Sequence, residues 1–195
     1  DPAQLLADFP LFSSLPPETA EPLSSRLRPI ELRCGEALIR EGEPGDSRVL
    51  TYADLQREVS RAANALEALG VTTGDRVAVY LPMIPEAVVA MLACARIGAV
   101  HSVVFGGFAP AELAVRIDDA SPRVIVTASC GIEPNRVIEY KPLLDEALGM
   151  ADHEPAATVV FQRPQAKAEM GAKDVDWVEA MAASTPRGPV AVLAT

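Results

Sequence analysis

From Asp75 to Pro110 the chain reads DRVAVYLPMIPEAVVAMLACARIGAVHSVVFGGFAP, apolar almost throughout but punctuated at regular points. Arg76–Leu81 is short, rich in valine and bounded by Gly74-Asp75 and Pro82. That pattern predicts a strand covered on both faces. Pro85-Glu86 opens a run of small and apolar residues through Ile97, and Gly98 closes it, which predicts a helix. Ala99–Val104 predicts a second buried strand, and Phe105-Gly106-Gly107-Phe108 the loop that ends it. Strand, helix and strand in this order form a parallel crossover unit. Ligands of open sheets built this way bind beyond the carboxyl ends of the strands. The loop at 105–108 is therefore the first candidate site.

The alternation continues along the chain. A helix is predicted over 52–69, with Thr51 as N-cap, Asp54 three residues on and Gly70 behind it. Further helices are predicted over 110–119, 142–150 and 175–183, the last carrying Trp177, with strands over 123–127 and 157–161. Such a pattern predicts an α/β fold, a partial doubly wound parallel sheet with flanking helices, over residues 51–195. Residues 1–50 differ: Ile30–Arg33 and Ala37–Arg40 alternate like strands, and Glu43-Pro44-Gly45-Asp46 signals a turn. The chain then enters the helix at Thr51 before a third strand is complete, so 1–50 is predicted as a short, incomplete α+β segment.

Composition narrows the partners. The 195 residues are 49% apolar and 23% charged, as in globular proteins. A net charge of -10, from 17 basic and 27 acidic residues, disfavours nucleic acid and anionic membrane surfaces. The longest apolar run, Ala87–Val104, is broken by Arg96 and His101 and is no membrane span, and no basic leader precedes an apolar stretch. A cytoplasmic location is the expectation. Cys34, Cys94 and Cys130 lack metal-ligand spacing and are expected as free thiols, Cys94 in the core and Cys130 at a loop edge. His101 and His153 stand apart from any ligand cluster, and Arg116 lies one turn from Asp119, which predicts an ion pair rather than a metal site.

Two resemblances add function. PLFSSLPPET followed by LRPIELRCGEALIREGEPGDS, over residues 5–48, resembles the opening of a cyclic-nucleotide-binding domain. The phosphate-holding Gly-Glu loop and Arg of that family do not follow Asp46, so Glu36 and Glu41 carry no implied ligand role. From about residue 50 to 192, TYADLQREVSRAANALEALGVTTGDRVAVYLPM, GAVHSVVFGGFAP, RIDDA and CGIEPNRVIEYKPLLDEA resemble the N-terminal subdomain of AMP-forming acyl-CoA synthetases, most closely the propionyl- and acetyl-CoA synthetases. The resemblance implies an acid–thiol ligase, in which a carboxylate and ATP give an acyl-adenylate and the CoA thiol then displaces AMP. It implies that Phe105, Gly106, Gly107 and Arg136 lie near the nucleotide end of CoA, although Glu133 stands where the family has a second Arg.

ATP and Mg²⁺ serve the parent family through a Thr/Ser/Gly-rich loop ending in Pro-Lys. No such loop occurs in residues 1–195; Lys173, after Gly171-Ala172, has too little glycine before it. The chain alone is expected to be inactive in adenylation, with no catalytic residue or metal ligand of its own and CoA as the small-molecule ligand within reach. An α/β subdomain with uncovered apolar surface is also expected to self-associate. The alternatives are a cyclic-nucleotide-responsive regulatory module and a non-functional chimeric product. Acyl-chain preference is not encoded in these motifs.

Overall fold

The computed structural model describes residues 50–185 apart from Gly107, Pro134 and Asn135. The resemblance over 5–48 and the 1–50 segment therefore lie outside the described residues, Leu50 excepted.

Helix α1 (Tyr52–Ala68) starts where the capping signal placed it. The Thr51 hydroxyl accepts from the Asp54 N–H at 3.1 Å, and the Asp54 carboxylate accepts from the Thr51 N–H at 3.2 Å. Strand β1 (Arg76–Tyr80) leads to α2 (Pro85–Ile97), which has Pro in its first turn and ends at Gly98 with φ 73°. Then follow β2 (Val100–Val103), α3 (Pro110–Ala120) and β3 (Val124–Ala128). A small hairpin, β4 (Gly131–Glu133) and β5 (Arg136–Ile138), precedes α4 (Tyr140–Met150), β6 (Ala157–Phe161), β7 (Asp174–Asp176) and α5 (Trp177–Ala183).

The five-stranded sheet is parallel throughout, in the order β2-β1-β3-β6-β7. From β1 the chain steps outward to β2 and then back across β1 to β3. Right-handed crossovers in opposite directions place their helices on opposite faces of the sheet. The reversal leaves a switch point at the carboxyl ends of β1 and β3. Two cores result. One packs Val77, Val79, Val124 and Val126 of the sheet with Ala62, Ala63, Val89, Ala90, Ala93 and Cys94 of the helices, and closes on Trp177 and Met181. The other packs Ala78, Tyr80 and Ile125 with Leu113, Ile117, Tyr140 and Leu144.

Several boundaries differ from expectation for physical reasons. β2 is not buried: it lies at the sheet edge with β1 as its neighbour, leaving Val100 56% and Val103 59% exposed. α4 begins at Tyr140 rather than Pro142. A proline in the first turn removes an N–H that lacks an intrahelical acceptor anyway, so it does not mark the first residue. Residues 174–176 form a strand on β6 before the last helix, and the Asp176 carboxylate caps that helix by accepting from the Val178 and Glu179 N–H groups. Cys130 lies in the short connection between β3 and β4, at a loop edge as expected, and is fully buried there. No Arg116–Asp119 pair forms among the described residues. The Arg116 guanidinium lies 5.7 Å from the Phe108 ring centroid, and Asp118 accepts from the His153 N–H.

Candidate site at the carboxyl ends of the strands

The candidate residues sit at the switch point. Val104, just past β2, donates to Val79 of β1 at 3.0 Å, which seats the start of the 105–108 loop against the end of β1. Phe105 is 72% exposed and meets Phe108 edge-on, with ring centroids 5.9 Å apart. An aromatic ring presented to solvent beyond a strand end can stack a nucleobase.

Arg136 arrives by a different route. After β3 the chain leaves at Ser129, runs through the hairpin and returns when the Tyr140 N–H donates to the Ser129 carbonyl at 3.1 Å. Ser129 is further tied down by its N–H to the Phe161 carbonyl, and its hydroxyl accepts from the Arg163 N–H at 2.8 Å. The Arg163 guanidinium donates to the Cys130 carbonyl at 3.0 Å, and burial lowers its pKa from the ordinary value. The base of the hairpin is therefore held from three directions, while Glu133 and Arg136 at its far end are exposed. At that end Glu133 and Arg136 are register partners and form a 2.8 Å ion pair. The hydrogen bond and charge of Glu133 raise the pKa of Arg136, so its positive charge is secure but shared. An incoming phosphate must compete with Glu133 for it.

Tyr80 and Tyr140 form the floor between the two arms, with ring centroids 4.8 Å apart and planes tilted by 35°. Tyr80 is fully buried and its hydroxyl has no hydrogen-bond partner. Burial, then the neighbouring Tyr140, pushes its pKa up to about 12. No local sequence pattern singles out these tyrosines, Arg163 or the Glu133–Arg136 pair. The nearest signal for Tyr140 is its place directly before a helix-opening Lys-Pro, after the glycine and arginine of CGIEPNR.

Other polar groups are already committed. Lys141 is 3% exposed and pairs with Asp145 at 2.5 Å and with buried Asp174 at 2.8 Å. Burial pulls its pKa down, but the hydrogen bonds to both carboxylates outweigh this and leave it raised. These residues line a groove of about 710 Å³ with Glu154 and Lys173, which pair with each other at 2.5 Å. The groove lies away from Phe105 and Arg136, and its cations are consumed by internal pairs. Among the described residues no three His, Cys, Asp or Glu side chains group to hold a metal, and no helix is long and apolar enough to cross a membrane.

The sequence profile of AMP-binding enzymes matches residues 34–193. The chain belongs to the AMP-binding enzyme family. An uncharacterized protein of Pseudomonas aeruginosa is 60% identical over 143 residues, which are 73% of this chain and 23% of that protein. The acetyl-coenzyme A synthetase of Streptomyces avermitilis is 56% identical over 139 residues, 71% of this chain and 21% of the relative. The mitochondrial acyl-CoA synthetase short-chain family member 3 of Rattus norvegicus is 46% identical over 160 residues, 80% and 23% respectively. Matched to AMP-binding enzymes of this kind, the chain spans between a fifth and a quarter of their length. In this family setting, Phe105, Gly106 and Arg136 occupy the sheet end at which open α/β folds hold ligands, and Gly107 lies outside the described residues.

Proposed function

We propose that this chain supplies the CoA-facing part of an AMP-forming short-chain acyl-CoA synthetase, with acetate or propionate as the class of acid activated. The observation that carries this is the pairing of an exposed ring, Phe105, with an exposed cation, Arg136, on two arms of one switch point in a chain of the AMP-binding family. Phe105 stacks the adenine, the backbone at Gly106 and Gly107 approaches the nucleotide, and Arg136 takes a phosphate. The sequence similarity to an acetyl-coenzyme A synthetase supports the choice of ligand.

Adenylation is a different matter. Stabilising charge on the α-phosphate of ATP requires a phosphate-cradling loop, a lysine and Mg²⁺. No Gly-rich loop followed by Lys is present in the 195 residues, and the three lysines are Lys141, Lys167 and Lys173. The first and last are paired internally. We therefore assign CoA contact, and not ATP turnover, to this chain by itself, with residues 51–195 as the subdomain concerned. Thermal unfolding with each ligand tests the assignment. CoA at a hundredfold excess over its Kd adds about 2.7 kcal/mol of stability, whereas ATP with Mg²⁺ adds none. Acid-dependent exchange of pyrophosphate into ATP by the purified chain would overturn it.

A further inference from the structure

Gly106 and Gly131 belong to different arms of the site, yet both press on one side chain. A Cβ placed on Gly106 would overlap the Tyr140 hydroxyl and lie 2.6 Å from Cζ and 2.8 Å from Cε1. A Cβ on Gly131 would overlap Cε2 and lie 3.2 Å from Cδ2. These are opposite edges of the same ring. Real side chains do not tolerate such distances, so both positions admit glycine alone while the ring stays where it is. Tyr80 backs one face of the ring, and the backbone of Tyr140 is fixed by its bond to Ser129. Tyr140 itself is 6% exposed.

We infer that Tyr140 is a positioning residue, a ring held edge-on between Gly106 and Gly131 that sets the span between the Phe105 loop and the Arg136 hairpin. With the CoA reading above, on which this part rests, that span sets the distance between the ring that stacks adenine and the cation that takes a phosphate. CoA carries a 3′-phosphate on its adenosine; dephospho-CoA lacks it. The ring therefore tunes discrimination between these two ligands without touching either. Glu133 is part of the same geometry, since burial and then the charge of Glu133 raise the Tyr140 pKa.

The test uses the 195-residue chain and amide shifts in ¹H–¹⁵N spectra, together with Kd values for CoA and dephospho-CoA. Gly131→Ala, a change on the hairpin alone, is expected to shift the amides of Phe105, Gly106 and Phe108 across the ring and to reduce the CoA to dephospho-CoA preference at least threefold. Gly106→Ala is the reciprocal change and is expected to shift Gly131, Ile132 and Arg136–Ile138. Tyr140→Phe removes the hydroxyl that faces Gly106 and keeps the ring edge that faces Gly131, so it is expected to shift the Phe105 loop and to leave Gly131 in place, while Ile132→Ser, an exposed change off the ring, shifts the hairpin alone. Shifts confined to the substituted arm in whichever glycine variant folds overturn the inference, even if CoA binds. Shifts across the ring in a chain that binds no CoA leave the positioning role standing and remove the CoA reading.

Discussion

The two faces of the sheet are packed by different means. The face under α1, α2 and α5 is built largely from valine and alanine, with Ala62, Ala63, Ala90 and Ala93 letting helices sit close to Val77, Val79, Val124 and Val126. It carries no candidate chemistry. The face under α3 and α4 places Tyr80 and Tyr140 at the strand ends, and Lys141 follows Tyr140 into a buried pair with Asp174. There the interior is aromatic, partly polar, and opens on two glycine contacts. One face can be optimised for density alone; the other must also hold two solvent-exposed arms at a fixed separation.

Breaking each face in its own way should give different costs. Lys141→Ala leaves Asp174 buried without its cation and is expected to cost about 3–5 kcal/mol in urea unfolding. Ala93→Leu overfills the aliphatic face, where Ala93 is fully buried, and is expected to cost about 1–3 kcal/mol without altering the Phe105 or Arg136 amides. Equal costs, or a site disturbance from Ala93→Leu, would erase the distinction between the faces.

Smaller effects sharpen it. Tyr80→Phe removes a buried hydroxyl with no partner and is expected to stabilise the protein by about 1 kcal/mol. The same variant has a pH signature. Tyr80 is raised from 10.0 to about 12, so above pH 10 the unfolded chain releases a proton that the folded one keeps, and stability falls toward pH 12. Lys141, also raised, acts in the same direction: its contribution is full below its ordinary value of 10.5 and fades as pH climbs through the higher folded value. Tyr80→Phe should flatten the alkaline loss between pH 10 and 12, measured by urea midpoints across that range; an unchanged slope would contradict the assignment. At the site, Glu133→Gln frees Arg136 from an exposed ion pair. CoA affinity is expected to rise about two- to fivefold, the scale of one surface pair.

Much of this architecture was legible in the residues, and the gaps have physical causes. Pro85 and Gly98 bracket α2 as expected, and Thr51 with Asp54 fixed the start of α1, because punctuation and caps are local. The exposure of β2 is not legible because a short strand with valines near both ends, Ala99–Val104, reads the same at an edge as at the centre of a sheet; only the strand order decides. The β4–β5 hairpin went unseen since its strands have three residues each, too few for a period. Phe105, Gly106 and Arg136 were selected by family resemblance, and the fold puts them on arms of one switch point. The ring that joins those arms was not selected, because its contacts span thirty-four residues on one side and nine on the other (Gly106 and Gly131 to Tyr140), and no local pattern encodes them.

A CoA site formed by the Phe105 loop and the Arg136 hairpin is tested most directly by calorimetric titration of CoA and dephospho-CoA into the chain and its Arg136→Ala variant. The wild-type chain should bind CoA more tightly than dephospho-CoA, and Arg136→Ala should bring the two affinities together. Absence of CoA binding, or a preference for CoA that Arg136→Ala leaves intact, would contradict it.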